Sequence, residues 1–250
     1  MFPIVHYYTN KTFIKEGNSF LIWGGLFPDL ASNAGINRDY AHQIGEPFYY
    51  YCKKNAPHAI PLAKGIMGHG IKPFGMDYYA DEYWPGGKKG WCFQKGEKWA
   101  EKVGIATSLP EELWYWKSHN FIEMSLDLLL NKEYPQLRED LLKGLSNKII
   151  LKEASSILAE YLEIDGQKIE DALKRAVVVF SLIDLSPLDM AKKQAQAYIR
   201  RHEVYGADIC AMAGVLEEIT LTLDYRQFLS QAVKLTGEML DAFPDKTEIS

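Results

Sequence analysis

Helical periodicity over more than half of the sequence is the feature that most restricts its fold. From about residue 108 onward, apolar residues recur at spacings of three and four, which places them on one face of a helix. The clearest runs cover residues 111–130, 153–162 and 167–183. Three further helices are predicted over residues 187–205, 208–223 and 225–243.

The breaks between these helices are short and contain turn residues. Ser186 is predicted to cap a helix that begins at Pro187, because a serine hydroxyl can accept a hydrogen bond from a free amide and proline fits the first helical turn. The alternation of apolar and polar residues that is typical of strands is scarce. We therefore predict an all-α fold, a multi-helix bundle.

The first 107 residues differ in character, because they contain most of the glycine and aromatic residues. Segments such as 83–91 are predicted to be loops that interrupt short helices. No repeat and no linker separates this part from the rest of the chain. We predict one domain over residues 1–250, in which a loop-rich, aromatic half, 1–130, contains the functional site and 131–250 completes the helical bundle.

Composition limits the partners of the chain. A formal charge of −5 argues against capture of nucleic acid or an anionic membrane by a basic face. Three widely spaced cysteines without Cys-x-x-Cys spacing are typical of free thiols. The sequence shows neither a signal-peptide pattern at its start nor an apolar run of roughly 18 residues. We therefore expect a cytoplasmic protein with no membrane span.

Clustered histidines are the main functional signal, since five of the six lie within the first 119 residues. His119 and Glu123 are four residues apart in a predicted helix and so share one face, where they could bind one cation. Apolar and aromatic neighbours predict that the pair is partly buried, and a bound metal would offset the free-energy cost of burying the charge. A surface hydrogen bond between the two side chains is the alternative.

A carboxylate ends an apolar segment early in the chain. Residues 20–28 are almost entirely apolar and lead through Gly25 to Asp29. Asp29 either contributes to a site or caps the turn that follows, which is a common role for aspartate.

His69 lies between two glycines at the end of a predicted short helix. Pro73 prevents that helix from continuing to Asp77 and Asp81. His69 and either aspartate can therefore approach each other only through a turn, and Asp81 could equally be a solvated turn charge.

The remaining histidines are single residues without a nearby partner in the sequence. Taken alone, His6 and His42 have the pattern of hydrogen-bonded core or surface residues. His58 follows a proline turn and His202 lies on a charged helix face. Neither of these last two is predicted to be a ligand.

Taken in order, these segments resemble the zinc-dependent phospholipase C family, which comprises phospholipase C and single-strand nuclease-like metal hydrolases. Its members typically contain an early His, an apolar segment ending in Gly-x-x-x-Pro-Asp, another His, a His and Asp pair, and finally His-x-x-x-Glu. The resemblance covers roughly residues 1–130. It implies these metal ligands: His6, Asp29, His42, His69, Asp77, His119 and Glu123.

Two departures from the family pattern affect these assignments. His69 and Asp77 are eight residues apart, whereas the family usually places this pair four apart on one helix, so either Asp77 or Asp81 could be the ligand. A further histidine is expected before the last His-x-x-x-Glu, but residues 78–118 contain none. One metal position of the family is therefore expected to be incomplete, occupied differently or lost.

The resemblance also implies an all-α fold, two or three zinc ions and hydrolysis by a metal-activated water. Manganese or iron could replace zinc in a carboxylate-rich site. Asp29 or Asp77 is the candidate carboxylate for orienting the water, and the implied substrate is a small phosphate ester or a phospholipid. The competing hypothesis is a non-catalytic helical protein with a structural or degenerate metal site that acts as an interaction module.

A set of aromatic residues is a candidate wall for the substrate pocket. Such a wall could receive a choline group by cation–π contact or a nucleobase by stacking. Packing in the core is the alternative role for each of them. The set comprises Tyr49, Tyr50, Tyr51, Tyr78, Tyr79 and Trp84.

Overall fold

A computed structural model gives the fold. It describes residues 3–13, 19–182 and 184–244, with the side chains of residues 179, 181 and 182 excepted. Within these ranges the chain forms fourteen α-helices and no strand, which confirms the predicted all-α class. None of the described helices combines the length and the apolar character needed to cross a membrane.

Seven short helices make up the first part of the chain, and seven mostly longer helices follow. The first seven are α1 Pro3–Phe13, α2 Ser19–Leu30, α3 Arg38–Ala41, α4 Gly45–Asn55, α5 Ile60–His69, α6 Trp91–Gly96 and α7 Ala100–Thr107. The others are α8 Trp114–Glu133, α9 Gln136–Leu145, α10 Lys148–Leu162, α11 Gly166–Leu182, α12 Pro187–His202, α13 Ile209–Thr222 and α14 Arg226–Asp241. A π-helix, Tyr78–Glu82, lies between α5 and α6.

The predicted helices of the second half are confirmed, with shifts at their ends. The run predicted to end at Ile183 is α11, whose last described residue is Leu182, so Ile183 lies outside the described residues. Ser186 Oγ accepts a hydrogen bond of 3.2 Å from the Asp189 amide, as expected of a cap before Pro187. Helix α9, which starts directly after Pro135, was not among the predicted helices.

Helices α2 and α5 cross with their backbones in contact. A Cβ added at Gly24 would lie 2.0 Å from the Leu62 carbonyl oxygen, and one added at Gly65 would lie 2.5 Å from that of Leu21. No larger residue fits at either position without moving a helix. This close crossing fixes the relative positions of Asp29, near the end of α2, and His69, at the end of α5.

The buried core continues from the first half of the chain into the second. Helix α1 packs against α2 and α5 and also against α8, α9 and α14. The largest fully buried side chains include Trp23 and Phe48 from the first half and Phe121 and Phe228 from the second. The helices that carry the predicted ligands are therefore held in place by helices that carry none.

Candidate metal centre

Five predicted ligands meet where α1, α2 and α5 converge. Asp77 Oδ2 lies 3.2 Å from both His42 Nε2 and His69 Nε2, and Asp77 Oδ1 lies 3.4 Å from His6 Nε2. Asp29 Oδ1 lies 3.6 Å from His42 Nε2. We call these five side chains the first ligand group. It occupies a buried position, since four of its members are fully buried and the side chain of Asp29 is 13% exposed.

The turn after α5 brings His69 and Asp77 together, as the sequence analysis required. Helix α5 ends at His69, and the chain then folds back over the loop that contains His42. The amides of Ile71 and Lys72 donate hydrogen bonds to the His42 carbonyl oxygen at 2.9 and 3.2 Å. The same turn therefore positions the side chains of His42, His69 and Asp77.

A second ligand group consists of Asp81, His119 and Glu123, whose ligand atoms all lie within 4.8 Å of one another. Asp81 is only 9% exposed, so the interpretation of this residue as a solvated turn charge is wrong. His119 and Glu123 are buried as predicted, which also removes the surface-pair alternative. The choice between Asp77 and Asp81 does not arise in this geometry, because each aspartate belongs to a different group.

Three of the histidines have one ring nitrogen fixed by a backbone carbonyl. His42 Nδ1 lies 2.7 Å from the Arg38 oxygen and His69 Nδ1 lies 2.6 Å from the Gly25 oxygen, and His119 Nδ1 is hydrogen-bonded to the oxygen of Trp116. A carbonyl can only accept, so each Nδ1 must donate its proton, and Nε2 of the neutral ring then presents a lone pair. This arrangement is typical of histidines that bind metal through Nε2.

His6 has a different environment from the other three. Its ring stacks on that of His69 with centroids 3.6 Å apart and planes 13° apart, and its Nδ1 has no hydrogen-bond partner among the described residues. Burial, followed by the proximity of His69, lowers the pKa of His6 to about 3. His6 is therefore a neutral imidazole whose Nε2 faces Asp77.

Opposing effects act on the ionisation of the first ligand group. Burial alone would lower the pKa of His42, but the carboxylates of Asp29 and Asp77 beside it raise that pKa to about 9. Burial alone would raise the pKa of Asp77, yet the surrounding histidines hold it well below its usual value. The group thus contains ionised carboxylates in a buried place, which is costly unless a cation accompanies them.

In the second ligand group, two acids are buried side by side, and this raises the pKa of both. Burial and the nearby Asp77 carboxylate raise the pKa of Asp81 to about 7, and burial with Asp81 raises that of Glu123 well above its usual value. Burial lowers the pKa of His119 to about 3. Asn120 Nδ2 lies 3.1 Å from His119 Nε2 and donates to Glu123 Oε2 at 3.3 Å.

The separations of the ligand atoms fit a tetrahedral metal ion. Two ligand atoms about 2.1 Å from zinc at the tetrahedral angle lie about 3.4 Å apart. The separations of 3.2 to 3.6 Å in the first group match that value. Although His42 Nε2 and His69 Nε2 lie this close to Asp77, neither nitrogen has a partner in hydrogen-bond geometry within the part of the chain that the structure describes. The mixture of imidazole and carboxylate ligands is also one that zinc accepts.

A cavity of about 480 Å³ connects the two groups to the surface. Its walls include Asp29 and Asp77 from the first group and the whole of the second. Residues that the sequence analysis did not connect with the site also line it: Arg38, Phe93, Trp116, Lys117, Asn120 and Arg201. Arg38, Phe93 and Arg201 give no local sequence signal because they come from other helices. Trp116, Lys117 and Asn120 lie close to His119 on α8.

The aromatic wall proposed from the sequence is wrong. The described residues that line the cavity include none of the five tyrosines or the tryptophan proposed for it. The Tyr49 hydroxyl donates to the carbonyl of Pro244 at 2.7 Å, and Trp84 packs edge-on against Phe228. For these two residues, packing is the observed role.

The two histidines that were not predicted as ligands lie outside both groups. His58 Nε2 pairs with Glu153 Oε1 at 2.7 Å on the surface. His202 lies in the last turn of α12, beside the ring of Tyr198.

Comparisons of the chain with protein-family models, with curated proteins and with solved structures found no match.

Proposed function

We propose that the chain is a metal-dependent phosphoesterase that hydrolyses a phosphate ester with a metal-activated water, in the manner of the zinc-dependent phospholipase C family. One observation carries this proposal: two buried groups of imidazole and carboxylate ligands border the same open cavity. A purely structural metal site would be closed, whereas an enzyme needs an open position beside its metal ions. The cavity therefore favours the hydrolase over the non-catalytic alternative.

The ligand groups supply places for two or three ions. Asp29, His42, His69 and Asp77 Oδ2 would hold one ion, and His6 with Asp77 Oδ1 would contribute to a second beside it. Asp81, His119 and Glu123 would hold a third, with the Asp81 carboxylate in place of the histidine that the family pattern lacks here. Zinc is the proposed metal, and the number of carboxylates also permits manganese or iron.

Zinc at such a site lowers the pKa of a bound water to near 7 and polarises phosphoryl oxygens. Asp29 is the carboxylate best placed to hold the attacking water, because it lines the cavity and its side chain is 13% exposed, against 6% for Asp77. Asp77, the other candidate, has three histidines around its two oxygens and is better suited to be a shared ligand.

Elemental analysis of protein purified without chelator tests this proposal. The variant pair His119→Ala with Glu123→Ala should lose at least one ion per chain, because it removes two of three ligands from the second group. The matched control is His58→Ala with Glu153→Ala, which removes an exposed His and Glu pair of the same composition. We expect the control to keep the metal content of the wild type.

Hydrolysis of 4-nitrophenyl phosphate and bis(4-nitrophenyl) phosphate completes the test. We expect the metal-containing wild type to release 4-nitrophenol and the chelated protein to release none. Wild-type protein that contains no metal, and whose melting temperature does not change on adding zinc, would exclude the site. Bound metal in the wild type without hydrolysis of any phosphate ester would favour the structural alternative.

A further inference from the structure

Three cationic side chains line the cavity that borders the ligand groups. Arg38 is the first residue of α3, Lys117 lies in the first turn of α8, and Arg201 lies in the last turn of α12. These helices are distant in sequence, and the fold brings their cations together in a chain whose net charge is −5. Six carboxylates also line the cavity, of which four belong to the ligand groups and two, Asp39 and Glu82, do not.

These cations are not neutralised by ordinary ion pairs. Arg38 Nη1 lies 4.0 Å from the exposed Asp39 carboxylate, at the limit of an ion pair. Among the described residues, Lys117 and Arg201 have no carboxylate oxygen within that distance. Burial and then the neighbouring charges of Arg201 and Arg38 lower the pKa of Lys117, so the three cations repel one another.

The carboxylates of the ligand groups offset the positive charge of Arg38 fully only while they bind no metal ion. Partial burial by itself would lower the pKa of the Arg38 guanidinium. Four carboxylates raise that pKa instead: those of Asp29, Asp77, Asp81 and Glu123. Carboxylates that ligate metal ions no longer offset this guanidinium to the same extent. Of the two wall carboxylates outside the ligand groups, Asp39 lies 4.0 Å from Arg38, and Glu82 lies 3.6 Å from Lys89. In the metal-containing form, the three cations of the wall therefore exceed the carboxylates that remain to offset them.

We propose that this cavity takes a phosphate group in its dianionic, monoester form, bound by Arg38, Lys117 and Arg201. A phosphomonoester carries about −1.5 to −2 charges at pH 7 with three free acceptor oxygens, whereas a diester carries one charge. Guanidinium groups match two phosphate oxygens at once, and an ammonium adds a point charge. The inference rests on the proposed function for the position of the phosphorus, and its charge requirement is tested by binding alone.

Calorimetric titration of the zinc-containing protein at pH 7.5 provides the test. The probes are methyl phosphate, a dianion, and dimethyl phosphate, a monoanion of similar size. The variants are Lys117→Gln and Arg201→Gln, each with a control on the same helix that lies outside the cavity, Lys132→Gln on α8 and Arg200→Gln on α12. Bound zinc and melting temperature are measured for every variant, so that a loss of folding or of metal is recognised.

We expect methyl phosphate to bind at least about tenfold more tightly than dimethyl phosphate, because each charge-assisted hydrogen bond adds affinity. Each cavity variant should weaken methyl phosphate by about tenfold and dimethyl phosphate by less than about threefold. The two control variants should bind both probes as the wild type does. Similar affinities of the wild type for both probes, or equal losses for both in the cavity variants, would overturn the inference.

Hydrolysis rates separate this inference from the proposed function. Faster hydrolysis of 4-nitrophenyl phosphate than of its diester, with kcat/KM reduced in Arg201→Gln, supports both. Preference for the diester would leave a phosphoesterase but overturn the monoester inference. Selective binding of methyl phosphate without hydrolysis of either ester would support the dianion site and overturn the hydrolase.

Discussion

At the scale of single residues, the site depends on which ring nitrogen of each histidine carries the proton. In three of the four site histidines, a backbone carbonyl fixes Nδ1 as the donor and leaves Nε2 as the potential ligand. The ring of His119 is further held by stacking on Phe93, with centroids 4.0 Å apart. These side chains need little rearrangement to bind a cation, which lowers the entropic cost of binding.

The metal-free protein should lose stability as the pH rises from 6.5 to 9. His42 has a pKa of about 9 in the folded chain and 6.5 as its ordinary value, so its protonation stabilises the fold below pH 6.5 and this contribution disappears as the pH approaches 9. The raised pKa of Glu123 acts in the same direction. His6 and His119, with pKa values of about 3, act below this range.

Urea denaturation of chelated protein at several pH values measures this effect, which we expect to be on the order of 2–3 kcal/mol. Protein saturated with zinc should show the opposite trend over the same range, because metal binding requires deprotonated ligands. A free energy of unfolding that stays constant or increases from pH 6.5 to 9 in the chelated protein would contradict the assigned charges.

Sequence analysis identified most of the side chains that meet at the site, and the reason differs between residues. His119 and Glu123 are recognisable because helical spacing alone puts them on one face. Asp81 was predicted only as an alternative to Asp77, since its position beside α8 depends on a π-helix. Arg201 could not be predicted from the sequence, because it lies 82 positions after His119 and only the packing of α12 brings it to the cavity.

At the scale of helices, the crossing of α2 and α5 sets the first ligand group. Gly65→Ala should destabilise the protein by about 1–3 kcal/mol, since its Cβ would collide with the backbone of α2 and push the helices apart. Gly214→Ala is the matched control, because a Cβ at this position in α13 meets nothing within 4 Å. We expect that control to be stabilised by about 0.5–1 kcal/mol.

Metal content adds a second measurement for these variants. Gly65→Ala should bind less metal than the wild type even at a temperature where it is fully folded, because Asp29 and His69 lie on the two helices that move. Gly214→Ala should bind the wild-type amount. Unchanged stability and metal content in Gly65→Ala would show that the helices do not depend on this contact.

A side chain of α8 also caps the first turn of α1. Asp127 is fully buried, and its Oδ1 accepts a hydrogen bond of 2.9 Å from the Val5 amide in the first turn of α1. The first amides of a helix have no partner within it, so this carboxylate replaces a local cap. Because α1 carries His6 and α8 carries His119 and Glu123, Asp127 fixes the distance between ligands on two helices.

Asp127→Ala should therefore cost about 2 kcal/mol of stability, as for the loss of a helix cap. Asp127→Asn keeps an oxygen that can accept the same hydrogen bond and should cost about half as much. Urea denaturation of both variants measures the difference. Equal losses would mean that the carboxylate charge, and not the cap, is what the fold requires.

The helices themselves were largely predictable, and their irregular connections were not. Periodicity located α8 and α10 to α14 because each packs one face against the core. The short helices before residue 107 gave weaker patterns, since many of their faces are buried on several sides. The end of a helix before Pro73 was predictable, because proline cannot continue a helix. The path that returns the chain to Asp77 was not predictable.

At the scale of the whole molecule, the ligands of the first half rely on the second half for support. Helix α1 contacts α9 and α14, and Gly237 in α14 leaves room for the ring of Phe13, which would lie 2.0 Å from an added Cβ. The prediction of a single domain is consistent with this packing. It requires that neither half should fold without the other.

A fragment that ends at residue 133 provides a direct test. It contains every ligand of both groups, so an independent metal-binding half would fold and bind zinc. We expect it instead to be unfolded by circular dichroism, because it lacks the helices that cover α1 and α8. A cooperative thermal transition of the fragment, with zinc bound in the wild-type amount, would mean that the chain contains two domains.

The two oxygens of Asp77 face different histidines, Oδ2 towards His42 and His69 and Oδ1 towards His6. Two ions that share such a carboxylate cannot bind independently, because the first to arrive fixes the orientation that the second requires. The coupling must be reciprocal, so losing either ion weakens the other by the same factor. Zinc should therefore enter and leave these two neighbouring positions cooperatively, with few molecules holding one ion alone.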